Sequence, residues 1–175
     1  DTGLNTGGMG TIAPNPYYTP EIAKICMETI FVPTIEAMKA EGRPFRGCLY
    51  FGLMLTPNGP RLIEYNCRFG DPETQVVLPL LESDLLTIMK ATAEGRLSEV
   101  SVKFSEKAAC CVIVASKGYP VKYESGCPMT LPADGADGVI YVAGAKQTET
   151  GLVSAGGRVL GVTAVADTLK EACSV

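Results

Sequence analysis

The sequence predicts an α+β fold in which an α/β portion is followed by a small β-rich domain. Apolar residues recur at helical spacing over residues 22–38, the pattern of an amphipathic helix. Two apolar runs flank Asn58-Gly59, a dipeptide typical of tight β-hairpin turns. Short strands and turns dominate the second half of the chain. We therefore expect residues 1–98 to form the α/β portion and residues 99–175 the β-rich domain.

The composition is that of an ordinary folded protein. The 175 residues are enough for one large core or two small domains. With 46% hydrophobic and 19% charged residues, the chain is not expected to be disordered. The net charge is −4 and no basic run is present, which argues against a nucleic-acid partner. No apolar run is long enough to cross a membrane and no signal peptide is evident, so we expect no membrane partner.

Cysteine and histidine usage narrows the possible chemistry. The seven cysteines form no CxxC pair, and histidine is absent. Zinc sites and disulfide scaffolds are therefore not expected, and the cysteines are interpreted as reduced, mostly buried thiols of a cytoplasmic protein. Without histidine, catalytic triads and histidine-bound metals are excluded. Catalysis would depend on carboxylates, arginine, lysine, backbone amides and a metal ion.

The chain is expected to begin with a glycine-rich loop and one long helix. The loop, residues 1–16, offers backbone N–H groups that side chains do not shield, which suits the close approach of an anion. Its central segment is Asn5-Thr6-Gly7-Gly8-Met9-Gly10. The helix begins with Thr19 as N-cap and Pro20 at its first position, and it ends at Gly42. Pro33 should kink or divide this helix.

A β-hairpin and two further helices are expected next. The strands of the hairpin are residues 47–55 and 61–66, and they are joined by the tight turn. Residues 76–81 continue a helix that starts at the turn after the hairpin. The other is capped by Ser83-Asp84 and stopped by Gly95.

The β-rich domain is expected to start with a buried central strand, because residues 108–116 are apolar without alternation. Further strands and a final helix follow, at residues 139–146, 152–155, 158–165 and from 168. Two segments could reach a ligand: the exit from the strand at residues 116–120, which carries Lys117 and Tyr119, and the turn Gly156-Gly157-Arg158. We interpret both as structural, because a turn between strands needs no further cause.

The residues that carry chemistry are concentrated in residues 62–75. Side chains alternate along a strand, so Glu64 and Asn66 project from one face. A carboxylate and an amide oxygen at this spacing make half of a site for Mg²⁺, whose other ligands would be phosphates and water. Arg68 follows, a planar fork that can bind phosphate or carboxylate through two bonds. The alternative is an edge strand that ends in a solvated, charged turn.

A turn and a helix N-terminus are predicted directly after this strand. Gly70 allows a sharp turn, and Asp71 is expected to be an N-cap. Pro72 would occupy the first helical position, with Glu73 as an early acid. A metal ion, an anion-binding arginine and a helix N-terminus would then converge within a few residues.

Two strings of the sequence resemble the signatures of the glycinamide ribonucleotide synthetase family, which are phosphoribosylamine–glycine ligases with the ATP-grasp fold. They are residues 1–10 and residues 64–75, and the likeness continues at residues 118–120 and 156–160. The resemblance implies that the first portion is the large-lobe sheet of an ATP-grasp domain with its helices. It also implies that the N-terminal domains of the family are missing from this chain, and that the fragment alone would be inactive.

The resemblance implies ligation of glycine to 5-phosphoribosylamine through glycyl phosphate, with ATP as co-substrate. The products would be glycinamide ribonucleotide, ADP and phosphate. Glu64 and Asn66 would hold Mg²⁺ or Mn²⁺ at the phosphates of ATP, and Arg68 would act on the transferring phosphoryl group. Asp71 and Pro72, with the loop of residues 5–10, would position glycine and the amine.

Three other interpretations stay open at this point. One is another ATP-grasp carboxylate–amine ligase with different substrates, although the run Gly70-Asp71-Pro72-Glu73 favours the glycine ligase. Another is a non-catalytic module that uses the loop and the metal strand for assembly or ligand sensing. The third is a plain structural α/β domain, which leaves the predicted convergence of charged and polar groups unexplained.

Overall fold

The computed structural model describes residues 2–132 and 138–175. Asp1, which opens the first signature string, and residues 133–137 lie outside the described residues. The chain divides into two compact units, each made of more than one segment. The sheet unit contains residues 2–13, residues 71–80 and the described part of 105–175, and the hairpin unit contains residues 14–70 and 81–104.

Helices and strands alternate irregularly along the described residues. In chain order they are β1 (Gly10–Ala13), α1 (Pro20–Cys26), α2 (Val32–Ala40), β2 (Tyr50–Thr56), β3 (Gly59–Asn66), α3 (Thr74–Val77), α4 (Leu85–Glu94), β4 (Ala108–Ala115), β5 (Pro128–Met129), β6 (Val139–Val142), β7 (Ala145–Thr148), β8 (Gly151–Ser154), β9 (Arg158–Ala166) and α5 (Leu169–Ala172). The domain boundary expected between residues 98 and 99 stays a prediction, because it divides the chain in sequence order whereas the two units interleave.

The sheet unit is built around an antiparallel sheet with the strand order β1-β4-β9-β6. β4 pairs with β1 on one side and with β9 on the other, so the predicted apolar strand is central, as expected. One face of β4 presents Ala109, Cys111 and Ile113 to the core of the unit. There they form one cluster with Val76 and Leu80 from the segment that contains α3.

The opposite face of β4 is only partly covered. Val112 and Val114 are 57% and 46% exposed, so the expectation of burial on both faces is wrong for this chain. The four-residue helix α5 packs against β4 and β9, and Ala108 at the start of β4 is buried. An unbroken apolar run here indicates a central position within the sheet rather than cover on both faces.

The strand predicted over residues 139–146 is two strands that belong to different sheets. β6 pairs with β9, whereas β7 pairs with β8 in a second sheet of order β5-β8-β7. The chain turns between them, and the N–H of Ala145 donates to the carbonyl of Ala143 at 2.8 Å. A Cβ at Gly144 would lie 2.4 Å from the carbonyl oxygen of Arg158, so glycine is needed at this turn.

The hairpin unit contains the predicted antiparallel hairpin of β2 and β3. The turn is confirmed with a shift of one residue: its loop residues are Pro57 and Asn58, and Gly59 begins β3 with φ of 90°. The ring of Phe51 on β2 lies 4.4 Å from that of Phe31 and 5.5 Å from that of Tyr65 on β3. This aromatic cluster packs the helical segment against the hairpin.

The long helix is divided as Pro33 predicts. Thr19 is the N-cap of α1, and its hydroxyl accepts a hydrogen bond from the N–H of Ile22 at 3.4 Å. A π-helical segment, Met27–Phe31, separates α1 from α2. Pro33 lies two residues beyond the end of this segment and lacks the N–H that a regular α-helix would use there, which accounts for the irregularity.

The capping signals of α4 are also confirmed. The carboxylate of Asp84 accepts a hydrogen bond from the N–H of Thr87 at 2.6 Å. Hydrogen bonding by the side chain of Thr87, and then by this N–H, lowers the pKa of Asp84 below its ordinary value. Gly95 ends the helix with φ of 76°. Across the described residues, every helix is too short or too polar to cross a membrane.

All seven cysteines are free, but they are less buried than predicted. Cys26 and Cys111 are buried, whereas Cys67, Cys127 and Cys173 are exposed. The expectation of mostly buried thiols is therefore wrong. Cysteine spacing excludes disulfides and zinc sites, but it does not predict which thiols the fold covers with apolar neighbours.

Candidate functional site

The predicted metal strand places three side chains in one bonded line in the hairpin unit. Glu64 and Asn66 lie on the same face of β3, and the amide nitrogen of Asn66 donates to Oε1 of Glu64 at 3.1 Å. Nη2 of Arg68 donates to the amide oxygen of Asn66 at 3.2 Å. Nη1 of Arg68 donates to the carbonyl oxygen of Phe69 at 2.8 Å. A carboxylate, an amide and a guanidinium therefore contact one another at the end of the strand.

Gly52 on the neighbouring strand makes room for this line of side chains. It pairs with Glu64 across the hairpin, beside a β-bulge at Gly52 and Leu53. A Cβ at position 52 would lie only 2.8 Å from Cγ of Glu64. The side chain of Glu64 therefore occupies the space that a larger side chain at position 52 would need.

These residues fit a hard cation in their donor atoms. Glu64 supplies a carboxylate and Asn66 an amide oxygen, which are ligands that Mg²⁺ and Mn²⁺ accept. The hydrogen bond between the two side chains shows that both reach one point. To bind a cation together with Glu64, Asn66 would have to turn its amide oxygen, instead of its nitrogen, toward the cation. No group of three or more His, Cys, Asp or Glu residues comes together in the described part of the chain, so phosphate and water would complete the coordination.

The glycine-rich loop is held by two side chains from later in the sheet unit. The N–H of Gly7 donates to the hydroxyl of Tyr119 at 3.1 Å. Nη1 of Arg158 donates to the carbonyl of Gly8 at 3.0 Å. A Cβ at Gly7 would lie 2.8 Å from Cζ of Arg158, and one at Gly8 would lie 2.4 Å from Cδ of Pro72. The two glycines are therefore needed for close contact.

The rest of the loop runs from an exposed segment into the sheet. Asn5 and Thr6 are exposed. The carbonyl of Met9 accepts a hydrogen bond from the N–H of Ile113 at 3.0 Å, and Gly10 begins β1. The loop is thus anchored at one end by β4 and along its length by Tyr119 and Arg158.

Asp71 is not the helix N-cap that the sequence predicts. Its Oδ1 accepts from the side chain of Gln75 at 2.8 Å, and its Oδ2 accepts from Nη2 of Arg158 at 3.1 Å. Both carboxylate oxygens are thus bonded by side chains. Glu73 occupies the N-cap position of α3, which begins at Thr74. Pro72 is buried beneath the loop instead of starting the helix.

The charge of Asp71 contributes to the pKa of a cysteine in the core of the sheet unit. Burial raises the pKa of the Cys111 thiol. The nearby hydroxyl of Thr163 opposes this shift, and the negative charge of Asp71 adds to it. Cys111 lies on the core face of β4, and both its burial and the charge of Asp71 disfavour the thiolate form.

The predicted site residues therefore form two groups, each within one unit. The loop of residues 5–10 lies with Asp71 and Pro72 in the sheet unit, whereas Glu64, Asn66 and Arg68 lie in the hairpin unit. This grouping is not evident from sequence distance, because Arg68 and Asp71 are nearly adjacent in the chain.

Two residues that were not predicted to belong to the site contact the first group. Arg158 and Tyr119 are expected to belong to structural turns, yet they contact the glycine-rich loop. One signal was present: Arg158 has no acidic residue within eight positions along the chain. A partly buried arginine without a local partner needs an acid from elsewhere.

Comparison with known proteins gives the same family in sequence and in structure. Residues 1–74 match the family model described as phosphoribosylglycinamide synthetase, ATP-grasp (A) domain, and residues 109–175 match the model of its C domain. A phosphoribosylamine–glycine ligase of Caldanaerobacter subterraneus is 46% identical over 172 residues, which cover 98% of this chain and 41% of that protein. A bifunctional purine biosynthetic protein of Pichia angusta is 49% identical over 175 residues, 22% of its length.

Solved structures agree. The crystal structure of a phosphoribosylamine–glycine ligase from Thermotoga maritima superposes with a TM-score of 0.83 at 36% identity, covering 98% of this chain and 42% of that one. A phosphoribosylglycinamide synthetase from Anaerococcus prevotii shares the fold, with a TM-score of 0.57 at 15% identity. The predicted α+β, ATP-grasp fold class is thereby confirmed.

The chain spans about 41% of the length of the curated ligase from Caldanaerobacter that it matches. Within that span the likeness is nearly continuous, and only residues 75–108 lie between the two matched domain models. Both models describe parts of one family, and the similar proteins agree with them. The chain belongs to the phosphoribosylglycinamide synthetase family.

Proposed function

We propose that this chain forms part of a ligase that joins glycine to 5-phosphoribosylamine at the expense of ATP. Family membership supports the proposal, and the observation that carries it is the bonded line of Glu64, Asn66 and Arg68. That line offers two oxygen ligands for a divalent cation and a guanidinium that can bind a phosphoryl group, and enzymes of phosphoryl transfer use both kinds of group. Because the chain spans only part of its relatives, the activity is assigned to a longer protein that contains it.

The reaction has two balanced steps. A carboxylate oxygen of glycine attacks the γ-phosphorus of ATP, and the bond from phosphorus to the bridging oxygen breaks, so that glycyl phosphate and ADP form. The amine of 5-phosphoribosylamine then attacks the acyl carbon, the carbon–oxygen bond to phosphate breaks, and the nitrogen loses a proton. A free amine is already nucleophilic, so no general base from the chain is required.

Glu64 and Asn66 would hold the divalent cation, Mg²⁺ or Mn²⁺. When bound, the cation supplies neutralisation of the charge on the phosphates. Glu64 contributes the negative charge that favours binding, and Asn66 contributes a neutral oxygen. In the described structure Asn66 links Glu64 to Arg68, so presenting its oxygen to a cation would also release one bond of the guanidinium.

Arg68 would bind the transferring phosphoryl group or the acyl phosphate. Its guanidinium is always charged and offers paired donors in a fixed plane. Its bond to the carbonyl of Phe69 fixes one side of the group. By analogy with oxyanion-stabilising donors, its contribution to lowering the barrier would be about 3–4 kcal/mol.

The sheet unit would hold the substrate side of the site. The glycine-rich loop, Asn5-Thr6-Gly7-Gly8-Met9-Gly10, exposes backbone beside Asp71 and Pro72. Backbone N–H groups suit a carboxylate or phosphate, and the Asp71 carboxylate suits an ammonium or a hydroxyl. These groups would position glycine and 5-phosphoribosylamine.

Two alternatives are separated by substrate dependence. Another ATP-grasp carboxylate–amine ligase would release phosphate with a different acid or amine. A ligand-sensing module would bind ATP without turnover. A cytoplasmic location, which cysteine usage predicts, is proposed for the longer protein because its relatives are named as a glycine ligase and a purine biosynthetic protein.

The test is phosphate release from ATP by the full-length protein that contains this chain. The assay compares wild type with Glu64→Gln and Arg68→Ala, and uses Arg43→Ala as a control at an exposed arginine. We expect release that requires both glycine and 5-phosphoribosylamine, and a fall of roughly 100-fold or more in both site variants but not in the control. ATP binding without turnover would reject the ligase in favour of the sensing module. Turnover that both site changes leave unaltered would reject the roles proposed for Glu64 and Arg68.

A further inference from the structure

We propose that Arg158 is a positioning residue that fixes the glycine-rich loop against Asp71 and thereby sets the affinity for glycine or the amine substrate. The inference rests on the proposed function, which gives the loop and Asp71 their substrate role. Arg158 lies at the start of β9, far from both partners in sequence. It belongs to the same compact unit as they do.

The contacts of Arg158 join two chain segments that carry site residues. Nη1 donates to the carbonyl of Gly8 at 3.0 Å and to the carbonyl of Asp71 at 2.9 Å. Nη2 donates to Oδ2 of Asp71 at 3.1 Å. The side chain of Arg158 is 24% exposed and that of Asp71 is 52% exposed, so the pair lies at the edge of the unit with one side open. One guanidinium therefore bonds the loop, the backbone at residue 71 and its carboxylate.

The surroundings leave the loop little freedom to move away from this arginine. The backbone of Gly7 lies close to the guanidinium, since a Cβ there would be 2.8 Å from Cζ and 2.9 Å from Nε. Tyr119 accepts from the N–H of the same glycine. The tyrosine ring in turn lies against Gly157, where a Cβ would be 2.3 Å from Cδ2. The absence of a side chain at Gly7 and Gly157 thus allows Arg158 and Tyr119 to contact the loop closely.

The chemistry of this contact requires arginine rather than a generic cation. Two nitrogens of a planar fork serve three acceptors at once, which the single ammonium of lysine cannot reproduce with the same geometry. The fork also holds the carboxylate of Asp71 in one orientation, with the amide of Gln75 on its other oxygen. The remaining lone pairs of that carboxylate then face a fixed direction.

Because Nη1 and Nη2 are engaged by protein acceptors, Arg158 acts through the loop and Asp71 rather than on the reacting atoms. Removing it would leave the loop to be ordered by the substrate, at an entropic cost that appears in substrate affinity. The cost falls on the substrates that the loop positions. The binding of ATP, assigned to Glu64, Asn66 and the rest of the protein, should not change.

The test measures KM for each substrate in the full-length protein, for wild type, Arg158→Met, Arg158→Lys and Tyr119→Phe. Arg43→Met serves as a matched control at an exposed arginine. We expect Arg158→Met to raise KM for glycine or 5-phosphoribosylamine at least tenfold, with KM for ATP within twofold of wild type. Arg158→Lys should recover part of the loss, and Tyr119→Phe should give a smaller rise of two- to fivefold, because it removes one neutral acceptor.

Hydrogen exchange gives a readout that does not depend on turnover. In Arg158→Met, the amides of residues 7–9 should exchange at least tenfold faster than in wild type, while those of β4 and β9 should be unchanged. Unchanged exchange at residues 7–9, or equal rises in KM for ATP and glycine, would overturn the positioning role. A wild-type protein without ligase turnover would instead reject the proposed function, and the exchange measurement would still decide whether Arg158 fixes the loop.

Discussion

At the residue scale, the contacts among Glu64, Asn66 and Arg68 depend on the ability of an asparagine side chain both to donate and to accept hydrogen bonds. Asn66 donates through its nitrogen to Glu64 and accepts through its oxygen from Arg68. An aspartate at this position would have no donor for Glu64 and would place a second negative charge beside it. The amide therefore keeps an acid and a base in contact through a neutral group that can still offer an oxygen to a cation.

Gly52→Ala tests whether the space beside Glu64 matters. The added Cβ would lie 2.8 Å from Cγ of the glutamate, so the carboxylate must move. We expect kcat for phosphate release by the full-length protein to fall roughly tenfold with little loss of stability, since alanine fits a strand at least as well as glycine. Gly3→Ala, where the Cβ meets nothing within 4 Å, is the matched control. A kcat equal to that of the control would contradict the assigned position of Glu64.

The thiol of Cys110 offers a pH-dependent test in the sheet unit. Burial raises its pKa to about 11, and a hydrogen bond with Cys173 adds to the shift. A raised thiol pKa means less thiolate at a given pH, so at pH 8 about 0.1% of Cys110 would be ionised. We expect iodoacetamide to label Cys110 at least tenfold more slowly than the exposed Cys67, and its rate to rise until the pH exceeds about 11. Labelling of both at one rate would show that β4 and α5 are not packed as described.

At the scale of elements, local chemistry predicts what the structure shows wherever the partners are close in sequence. Thr19 and Asp84 cap their helices as expected, and the hairpin turn lies within one residue of its predicted place. The prediction that Asp71 is an N-cap is wrong because its carboxylate binds Arg158, 87 positions away in the chain. A sequence pattern that resembles an N-cap cannot reveal that a distant guanidinium binds the same carboxylate.

The same reasoning explains which parts of the site could be predicted. Glu64 and Asn66 share a face because strand alternation is a local rule, and their hydrogen bond follows from it. The contacts of Tyr119 and Arg158 with the loop depend on the pairing of β4 with β1 and β9, which is a property of the whole sheet. Non-local register has no signature in the residues themselves, so these contacts required the structure.

The last helix makes a prediction at this scale. Thr168 and Glu171 form a capping box at the start of α5: the hydroxyl of Thr168 accepts from the N–H of Glu171 at 3.2 Å, and the carboxylate of Glu171 accepts from the N–H of Thr168 at 3.0 Å. We expect Thr168→Ala to destabilise α5 by about 1 kcal/mol, which is roughly fivefold faster amide exchange at Ala172 and Cys173.

Thr130→Ala is the matched control for that substitution, because Thr130 is exposed outside the helices. It should leave exchange in α5 unchanged. Equal exchange at Ala172 in wild type and Thr168→Ala would mean that packing against β4 and β9, rather than the capping box, determines the stability of the helix.

At the scale of the whole molecule, the chain is a partial view of its family. It spans about 41% of the ligase from Caldanaerobacter and 42% of the Thermotoga structure. The two compact units carry two halves of the proposed chemistry, the hairpin unit the groups for metal and phosphoryl transfer and the sheet unit those for the substrates. The proposed reaction is that of the longer protein that contains this chain.

The most direct test of the proposed ligase follows oxygen atoms. The full-length protein is given ATP, 5-phosphoribosylamine and glycine labelled with oxygen-18 in both carboxylate positions, and the released phosphate is analysed by mass spectrometry. Because a glycine oxygen forms the new bond to phosphorus and leaves with it, we expect one labelled oxygen in each phosphate, and no release from the 175-residue chain alone. Glycine-dependent phosphate without the label would contradict glycyl phosphate, and with it the roles proposed for Glu64, Asn66 and Arg68.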